Sequence, residues 1–349
     1  MSATHYQQAG VDLEKAAAVK RTILQHVQRT HTKNVIPAPG GFGGLFSLDG
    51  LDSQETVLVS SADGVGTKLK IAFATGRHST VGRDLVAHCV NDILTQGASP
   101  LFFLDYLAAS DLDPEVASQI IQGLAEECRV NGCALIGGET AQMPGFYQSG
   151  EYDLAGFIVG SVSRKRLIGP ARIQSGSFLV GLASSGLHTN GYSLARRILL
   201  EKGGLRLEDP FPDSSRSVAD ELLQVHRSYY PVLEPLLGRQ CVLAAAHITG
   251  GGITENLPRV LPAGFCAHVY RGSWPVLPVF EVLATMGQVE TEEMYRVFNM
   301  GIGMILVIAP EKLAVAQDLL KKAGEPHYMI GEVVRGDTRV IYDRAQNPA

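Results

Sequence analysis

An α/β fold of mixed layers in two domains, each a mixed β-sheet packed with helices, is predicted by three observations. The chain has 349 residues, enough for two separate cores. Short strand-like apolar runs alternate with helix-patterned stretches in both halves. Residues 163–175, charged and then Gly-Pro, interrupt that alternation. The break divides the chain into an N-terminal domain at 1–168 and a C-terminal domain at 169–349.

The first element is a helix at 11–29, with Val11, Ala18 or Val19, Ile23 and Val27 along one side and Asp12 as its N-cap. Glycines 40–44 follow Pro37 and Pro39 as a loop. A strand at 56–60 leads to Asp63. A helix at 79–96 closes at Gly97 and Pro100. A strand at 101–107 carries one acid, Asp105. Asp113 caps a helix at 114–131, which Gly132 stops. Strands at 133–136 and 154–162 complete the first half. In the second half, strands are expected at 177–183, 242–248, 265–270, 303–309 and 328–334, with helices at 192–201 and 310–323. Residues 214–237 read as largely helical, with Pro231 and Pro235 breaking or kinking the end.

Composition excludes several function classes. A net charge of −5 with no Lys/Arg cluster provides no groove for nucleic acid and no attraction to an anionic membrane. Residues 1–12 are polar and lack the apolar core of a signal peptide, and apolar runs such as 304–309 are strand-sized. The five cysteines are odd in number and have no C-x-x-C spacing; they read as reduced core thiols of a cytoplasmic protein. Neither a nucleophile elbow nor zinc-ligand spacing occurs.

The richest chemistry lies in Ser61-Ala-Asp63-Gly-Val-Gly-Thr67-Lys68. An acid at the mouth of a strand can hold Mg²⁺, flanking glycines admit a ligand to the backbone, and a Thr-Lys pair can meet phosphate oxygens. A tight turn is the bland alternative. On the helix that follows, Asp84, His88 and Asp92 are successive i, i+4 neighbours with Asn91 beside them. Such a stripe is usually solvated, yet the remaining faces are so apolar that Asp92 there needs Mg²⁺ or Lys as a partner. Gly137-Gly-Glu139 leaves a strand through two glycines and places Glu139 at the strand's carboxyl end, where α/β sheets favour ligands. Asp63, Asp92 and Glu139 together offer the oxygen ligation Mg²⁺ prefers. The glycine loop (Gly41, Gly43, Gly44) reads either as a linker or as a lid over a polyphosphate, with Lys33 upstream as an added charge. In the second half, His188-Thr-Asn190 and His247-Ile-Thr249-Gly250-Gly251 each follow a strand and read as binding loops.

Together Asp63-Gly-Val-Gly-Thr-Lys68, Val90-Asn-Asp92, Phe102-Phe-Leu-Asp-Tyr106, Gly137-Gly-Glu-Thr140 with Met143-Pro-Gly145, His188-Thr-Asn-Gly-Tyr-Ser193, His247-Ile-Thr-Gly-Gly-Gly252 and Glu293-Met-Tyr-Arg296 with Phe298-Asn299 resemble the phosphoribosylformylglycinamidine cyclo-ligase (aminoimidazole ribonucleotide synthetase) family. The likeness runs in order from about Tyr6 to Tyr342. It implies the two-domain architecture of that superfamily and an ATP-dependent ring closure in purine biosynthesis. In that reaction ATP phosphorylates an amide oxygen of formylglycinamidine ribonucleotide, and an amidine nitrogen then displaces phosphate. By the same resemblance Asp63, Asp92 and Glu139 hold Mg²⁺-ATP, and Thr67 and Lys68 stand near phosphates. Asn91 and the Gly41–Gly44 loop serve the nucleotide. His188, Asn190, His247, Thr249, Gly250 and Gly251 face the ribonucleotide. Asp63, Lys68, His188 and His247 are the expected catalytic set, with His188 orienting substrate rather than acting as base. The family forms homodimers through strands of its first domain. One departure is Gln142, where many relatives carry a second acid. Alternatives are enzymes of the same architecture that make selenophosphate or phosphorylate thiamine monophosphate, and a non-catalytic nucleotide-binding homologue.

Overall fold

The computed structural model describes residue 5 and residues 35–36, 44–47, 55–111, 113–212 and 214–344. The helix expected at 11–29, together with Lys33, Gly41 and Gly43, lies outside the described residues.

Among the described residues, six strands build the first sheet: β1 (Val35–Ile36), β2 (Gly44–Ser47), β3 (Thr56–Gly64), β4 (Ser99–Ala109), β5 (Ala134–Gln142) and β6 (Tyr152–Ser163). Their order is β1-β2-β3-β6-β4-β5, and only β4 and β5 run parallel. That parallel pair needs a crossover, which a helix supplies between them. Among the described residues of this half, the α-helices are α1 (Leu69–Thr75), α2 (Ser79–Leu94) and α3 (Pro114–Val130). Asp113 caps α3 by accepting the Glu115 and Val116 amides at 2.8 and 3.3 Å. Strand alternation sends Val57, Val59, Phe103, Leu107, Leu154 and Ile158 to the face under α2 and α3. On the opposite face Phe157 and Phe46 stay exposed.

Strands β7 (Phe178–Ala183), β8 (Val242–His247), β9 (Phe265–Arg271), β10 (Ile302–Ile308), β11 (His327–Arg335) and β12 (Val340–Arg344) form the second sheet. Its order is β12-β9-β11-β7-β10-β8, with only β12 and β9 parallel. Helices α4 (Tyr192–Arg196), α5 (Val218–Leu222), α6 (Tyr230–Gly238), α7 (Gly252–Asn256), α8 (Pro278–Gly287), α9 (Thr291–Val297) and α10 (Leu313–Lys322) pack around it. Every residue of β8 and β10 is buried because apolar clusters cover both faces of the sheet. The predicted class of two mixed sheets packed with helices therefore holds. All five cysteines are buried free thiols. No helix among the described residues is long and apolar enough to cross a membrane.

Several elements differ from expectation. Gly44 is not part of a loop but starts β2 and pairs with Ser60. β5 does not stop at Ile136; it runs through both glycines to Gln142, so Glu139 lies within a strand rather than beyond its end. Residues 214–237 are not one helix. α5 ends at Leu222, residues 223–229 are irregular, and Pro231 stands in the first turn of α6, where its fixed φ suits helix initiation. No range was expected from the sequence for β1, β2, α1, α7, α8, α9 or β12.

Packing makes α2 the structural pivot. Gly82 and Gly123 let α2 and α3 touch backbone to backbone: a Cβ on Gly82 would lie 2.3 Å from the Ile120 carbonyl oxygen. With the first sheet below it and residues 226–229 against its polar side, α2 buries even Asp84, His88, Asn91 and Asp92.

Candidate active site

The polar stripe of α2 meets three segments of the second half: 184–191 after β7, 223–229 between α5 and α6, and 247–252 after β8. Lys68, just before α1, is fully buried. Its Nζ lies 2.7 Å from Asp84 Oδ2 and donates to the carbonyls of Gln224 (2.6 Å) and His188 (3.4 Å). Burial pushes Lys68 down and Asp84 up, while their mutual attraction opposes both shifts. The other Asp84 oxygen accepts the His226 amide at 2.6 Å. Asn91 donates to the Arg227 carbonyl at 2.8 Å and accepts the Tyr229 amide at 3.0 Å. Lys68, Asp84 and Asn91 thus bind the two halves together.

Beside this latch runs a chain of imidazoles. His88 Nε2 lies 2.7 Å from Asp63 Oδ2, and His88 Nδ1 lies 2.6 Å from Thr189 Oγ1. Thr189 Oγ1 meets His226 Nδ1 at 3.3 Å, and His226 Nε2 meets His247 Nε2 at 3.1 Å. His247 Nδ1 closes on Asp92 Oδ1 at 2.8 Å, while Ser61 donates to Asp92 Oδ2 at 2.9 Å. His188 stacks on His226 with ring centroids 4.0 Å apart and accepts the Ser185 amide at 3.1 Å.

Electrostatics sorts these rings. Burial alone would lower the His88 pKa, but Asp63, with Asp92 and Asp84 behind it, raises it to about 9. His88 is therefore an imidazolium at neutral pH. Burial works the other way on the Asp63 carboxyl, yet the His88 charge outweighs it and holds Asp63 below the usual range. Burial pushes His188, His226 and His247 down; neighbouring cations add to the effect on His188 and His226, while Asp92 opposes it on His247 without cancelling it. They stay neutral.

An accessible rim surrounds this interior. Asp63, Thr67 and Gly250 are exposed, while Asn190, Ser193 and Thr249 are half-buried. Thr67 and Ser193 hydroxyls meet at 3.0 Å across the interface. Asn190 lies against Gly250, where a Cβ would come within 3.2 Å of Oδ1. Asn256 holds the glycine loop by donating to the Thr249, Gly250 and Gly252 carbonyls at 3.3, 3.1 and 2.9 Å. Gly251 and Gly252 adopt left-handed φ of 99° and 59°, and a Cβ at Gly252 would strike the Tyr295 carbonyl oxygen at 2.1 Å.

A two-part family match spans this architecture. "AIR synthase related protein, N-terminal domain" matches residues 46–162, and "AIR synthase related protein, C-terminal domain" matches residues 174–343. A phosphoribosylformylglycinamidine cyclo-ligase of Geobacillus thermodenitrificans is 52% identical over 331 residues, covering 95% of this chain and 96% of the relative. The chain belongs to the phosphoribosylformylglycinamidine cyclo-ligase family. Among solved structures, thiamine-monophosphate kinase from Stenotrophomonas maltophilia shares the fold at TM-score 0.63 and 18% identity, covering 91% of this chain and 94% of that one. Hydrogenase maturation protein HypE in complex with ATP does so at TM-score 0.60 and 17% identity, covering 82% of each chain.

In this cyclo-ligase family member the three acids do not gather as expected. Asp63 and Asp92 both touch the imidazole chain, but Glu139 is elsewhere. Asp63 pairs with Gly156, Gly156 with Asp105 and Asp105 with Gly138, so three strand spacings, about 14 Å, separate β3 from β5 along that row. Glu139 is one residue beyond Gly138 and, beside Tyr106, points to the opposite face of the sheet. Within one chain it shares no cation with Asp63. Lys68 spends its protons on Asp84 and two carbonyls, and Asn91 on the 227–229 backbone, so neither presents a free group to a nucleotide. His188 and His247 are 1% and 0% exposed and stand behind the rim rather than on it.

Donor chemistry singles out one place for a cation. His88, Asp92 and His247 offer atoms within 4.8 Å of one another, a buried and nitrogen-rich set unlike the oxygen ligation of Mg²⁺. Asp63, exposed at the mouth, suits Mg²⁺ shared with phosphate oxygens. His226 and Asn256 stood in no segment singled out from the sequence, and Ser61 and Thr189 lay within such segments without a role of their own. His226 belongs to no spacing pattern; only the interruption of helical periodicity at 223–229 marks its segment.

Proposed function

We propose that the chain closes the imidazole ring of 5-aminoimidazole ribonucleotide from formylglycinamidine ribonucleotide, with ATP converted to ADP and phosphate. The near full-length 52% identity to a cyclo-ligase carries this reading. The ATP-bound HypE of the same fold supports ATP as co-substrate. In this reading the amide oxygen becomes a phosphate ester, the amidine nitrogen attacks the activated carbon, and phosphate leaves. The protein's task is to orient two anionic substrates and exclude water.

The rim performs the orientation. Asp63 would hold Mg²⁺, which when bound neutralises charge on the phosphates. The Thr67 and Ser193 hydroxyls, the Asn190 amide and the Thr249–Gly251 backbone face the ribonucleotide and nucleotide from opposite domains. His88 holds Asp63 in place, and His247 holds Asp92. His188 supports its loop. The domain boundary is placed at 168/169, between β6 and β7.

A homodimer through the exposed face of the first sheet is part of this reading. Phe157 and Phe46 are 46% and 39% exposed there, and Ile136 on the edge strand β5 is 60% exposed. Glu139 lies on that face, so its contribution to cation binding would be made to the partner's site. The cytoplasm, where purine precursors are made, is the proposed location.

Incubating the purified chain with formylglycinamidine ribonucleotide, ATP and Mg²⁺ tests the reading. Equal amounts of ADP and a diazotisable aminoimidazole are expected. ATP binding with authentic substrate but no such product refutes it.

A further inference from the structure

We propose that His226 is a positioning residue that donates its Nε2–H to His247 and so fixes the tautomer of His247 and the aim of the Asp92 carboxylate. The catalytic consequence rests on the cyclo-ligase reading; the hydrogen-bond assignment does not.

Donors and acceptors decide the assignment. A carboxylate only accepts, so the 2.8 Å contact with Asp92 Oδ1 requires the His247 proton on Nδ1. A neutral His247 then offers a lone pair at Nε2. Its neighbour at 3.1 Å, His226 Nε2, must donate. Neutral His226 is left with a lone pair at Nδ1, which takes the Thr189 hydroxyl proton at 3.3 Å. Thr189 in turn accepts from His88 Nδ1 at 2.6 Å. One direction of donation therefore runs from the Asp63 end to the Asp92 end. The Asn91 Nδ2 contact with His226 Nε2, at 3.3 Å, is longer and yields to it.

Position supports the role. His226 is 1% exposed and lies in the irregular segment between α5 and α6. Two contacts hold it, its amide on Asp84 at 2.6 Å and its ring on His188 at 4.0 Å between centroids, and the adjoining Arg227 is itself anchored on Glu325 at 3.2 Å. A ring so constrained can hold a neighbour at a set angle. His247 cannot obtain the same restraint from its own strand, because both its nitrogens point away from the β8 ladder to Asp92 and His226. Outer hydrogen-bond partners of this kind orient site groups in many enzymes.

The test uses full-length protein labelled with nitrogen-15 at histidine, free of ATP and substrate. Proton–nitrogen spectra should show neutral His247 carrying its proton on Nδ1 and neutral His226 carrying its proton on Nε2. A His226 proton on Nδ1, or a His247 proton on Nε2, overturns the proposal. Two variants supply the kinetic arm. The amide of His226→Gln reaches the place of Nε2, whereas that of His226→Asn reaches only the place of Nδ1. His226→Asn should lower kcat by about 10–100-fold. Its KM for ATP should change less than about twofold, and His226→Gln should recover most of the loss. A folded His226→Asn protein with wild-type kcat, or a His226→Gln protein equally impaired, overturns the role. If neither variant folds, the wild-type spectra decide alone. Absence of ring closure in the wild type would instead refute the cyclo-ligase reading and leave the spectra to judge His226.

Discussion

Replacing Lys68 with Met separates two roles that the Thr67-Lys68 pair permits. If Lys68 binds phosphate, its loss weakens ATP binding and leaves the fold alone. The structure assigns the opposite. Both side chains of the Lys68–Asp84 pair are 0% exposed, and the ammonium also serves the Gln224 and His188 carbonyls. Removing one partner of a buried pair leaves an uncompensated charge and costs about 3–5 kcal/mol. The two lost carbonyl contacts are part of that figure rather than an addition to it. Lys68→Met should therefore unfold at markedly lower urea, followed by far-ultraviolet circular dichroism and by fluorescence of the single, buried Trp274. Adding Asp84→Leu should restore part of the loss, with a coupling energy of about 2 kcal/mol or more in the double-mutant cycle. Unchanged urea stability together with a KM for ATP raised about tenfold would refute the assignment.

Three further outcomes are expected. Asp63→Asn and Glu139→Gln should each abolish most turnover, yet an equimolar mixture, unfolded and reassembled together, should regain about a quarter of wild-type activity if the partner subunit's Glu139 completes each site of a two-fold dimer; no recovery would place both acids in one chain's site. Gly82→Ala should destabilise the protein by about 1–2 kcal/mol in chemical denaturation, because the clash with the Ile120 carbonyl outweighs the helix propensity gained, and an unchanged midpoint would contradict the close α2–α3 crossing. For pH, His188 and His226 have folded pKa values below the ordinary 6.5, so the stability from keeping them neutral is present above 6.5 and lost as pH falls below it. Each adds a slope of about 1.4 kcal/mol per pH unit. His88, raised to about 9, has the opposite sign: its contribution is present below 6.5 and disappears as pH rises through about 9. A melting temperature that is flat between about pH 7.5 and about pH 5.5 would contradict the neutral histidines.

Local signals carried the fold and failed where tertiary contacts choose among local options. The alternation of strand and helix patterns located most of both sheets, and Asp113 announced its helix because an N-cap is decided within four residues. Pro231 misled, since proline ends one helix or begins another according to chain direction before it. Lys68 was visible as a functional-looking amine, but its partners lie 16 residues away at Asp84 and 120 and 156 residues away at two carbonyls. No spacing rule reaches that far. Glu139 failed on parity: a single residue of strand register turns a side chain to the other face, and register is set by β4, not by the Gly-Gly-Glu run itself.

The same geometry explains why so many polar residues of α2 are buried. In the proposed reading, the ligand-facing groups are those of the rim, and the residues that set their angles sit behind them, shared between domains. Asp63 belongs to the first domain but is held by His88, whose other nitrogen is engaged by Thr189 of the second. Asp92 is likewise held by His247 from the second sheet. Opening the interface would therefore misdirect both carboxylates before it unfolded either sheet. Loss of an interior residue should lower stability and turnover together, whereas loss of an exposed rim group such as Thr67 should lower turnover alone.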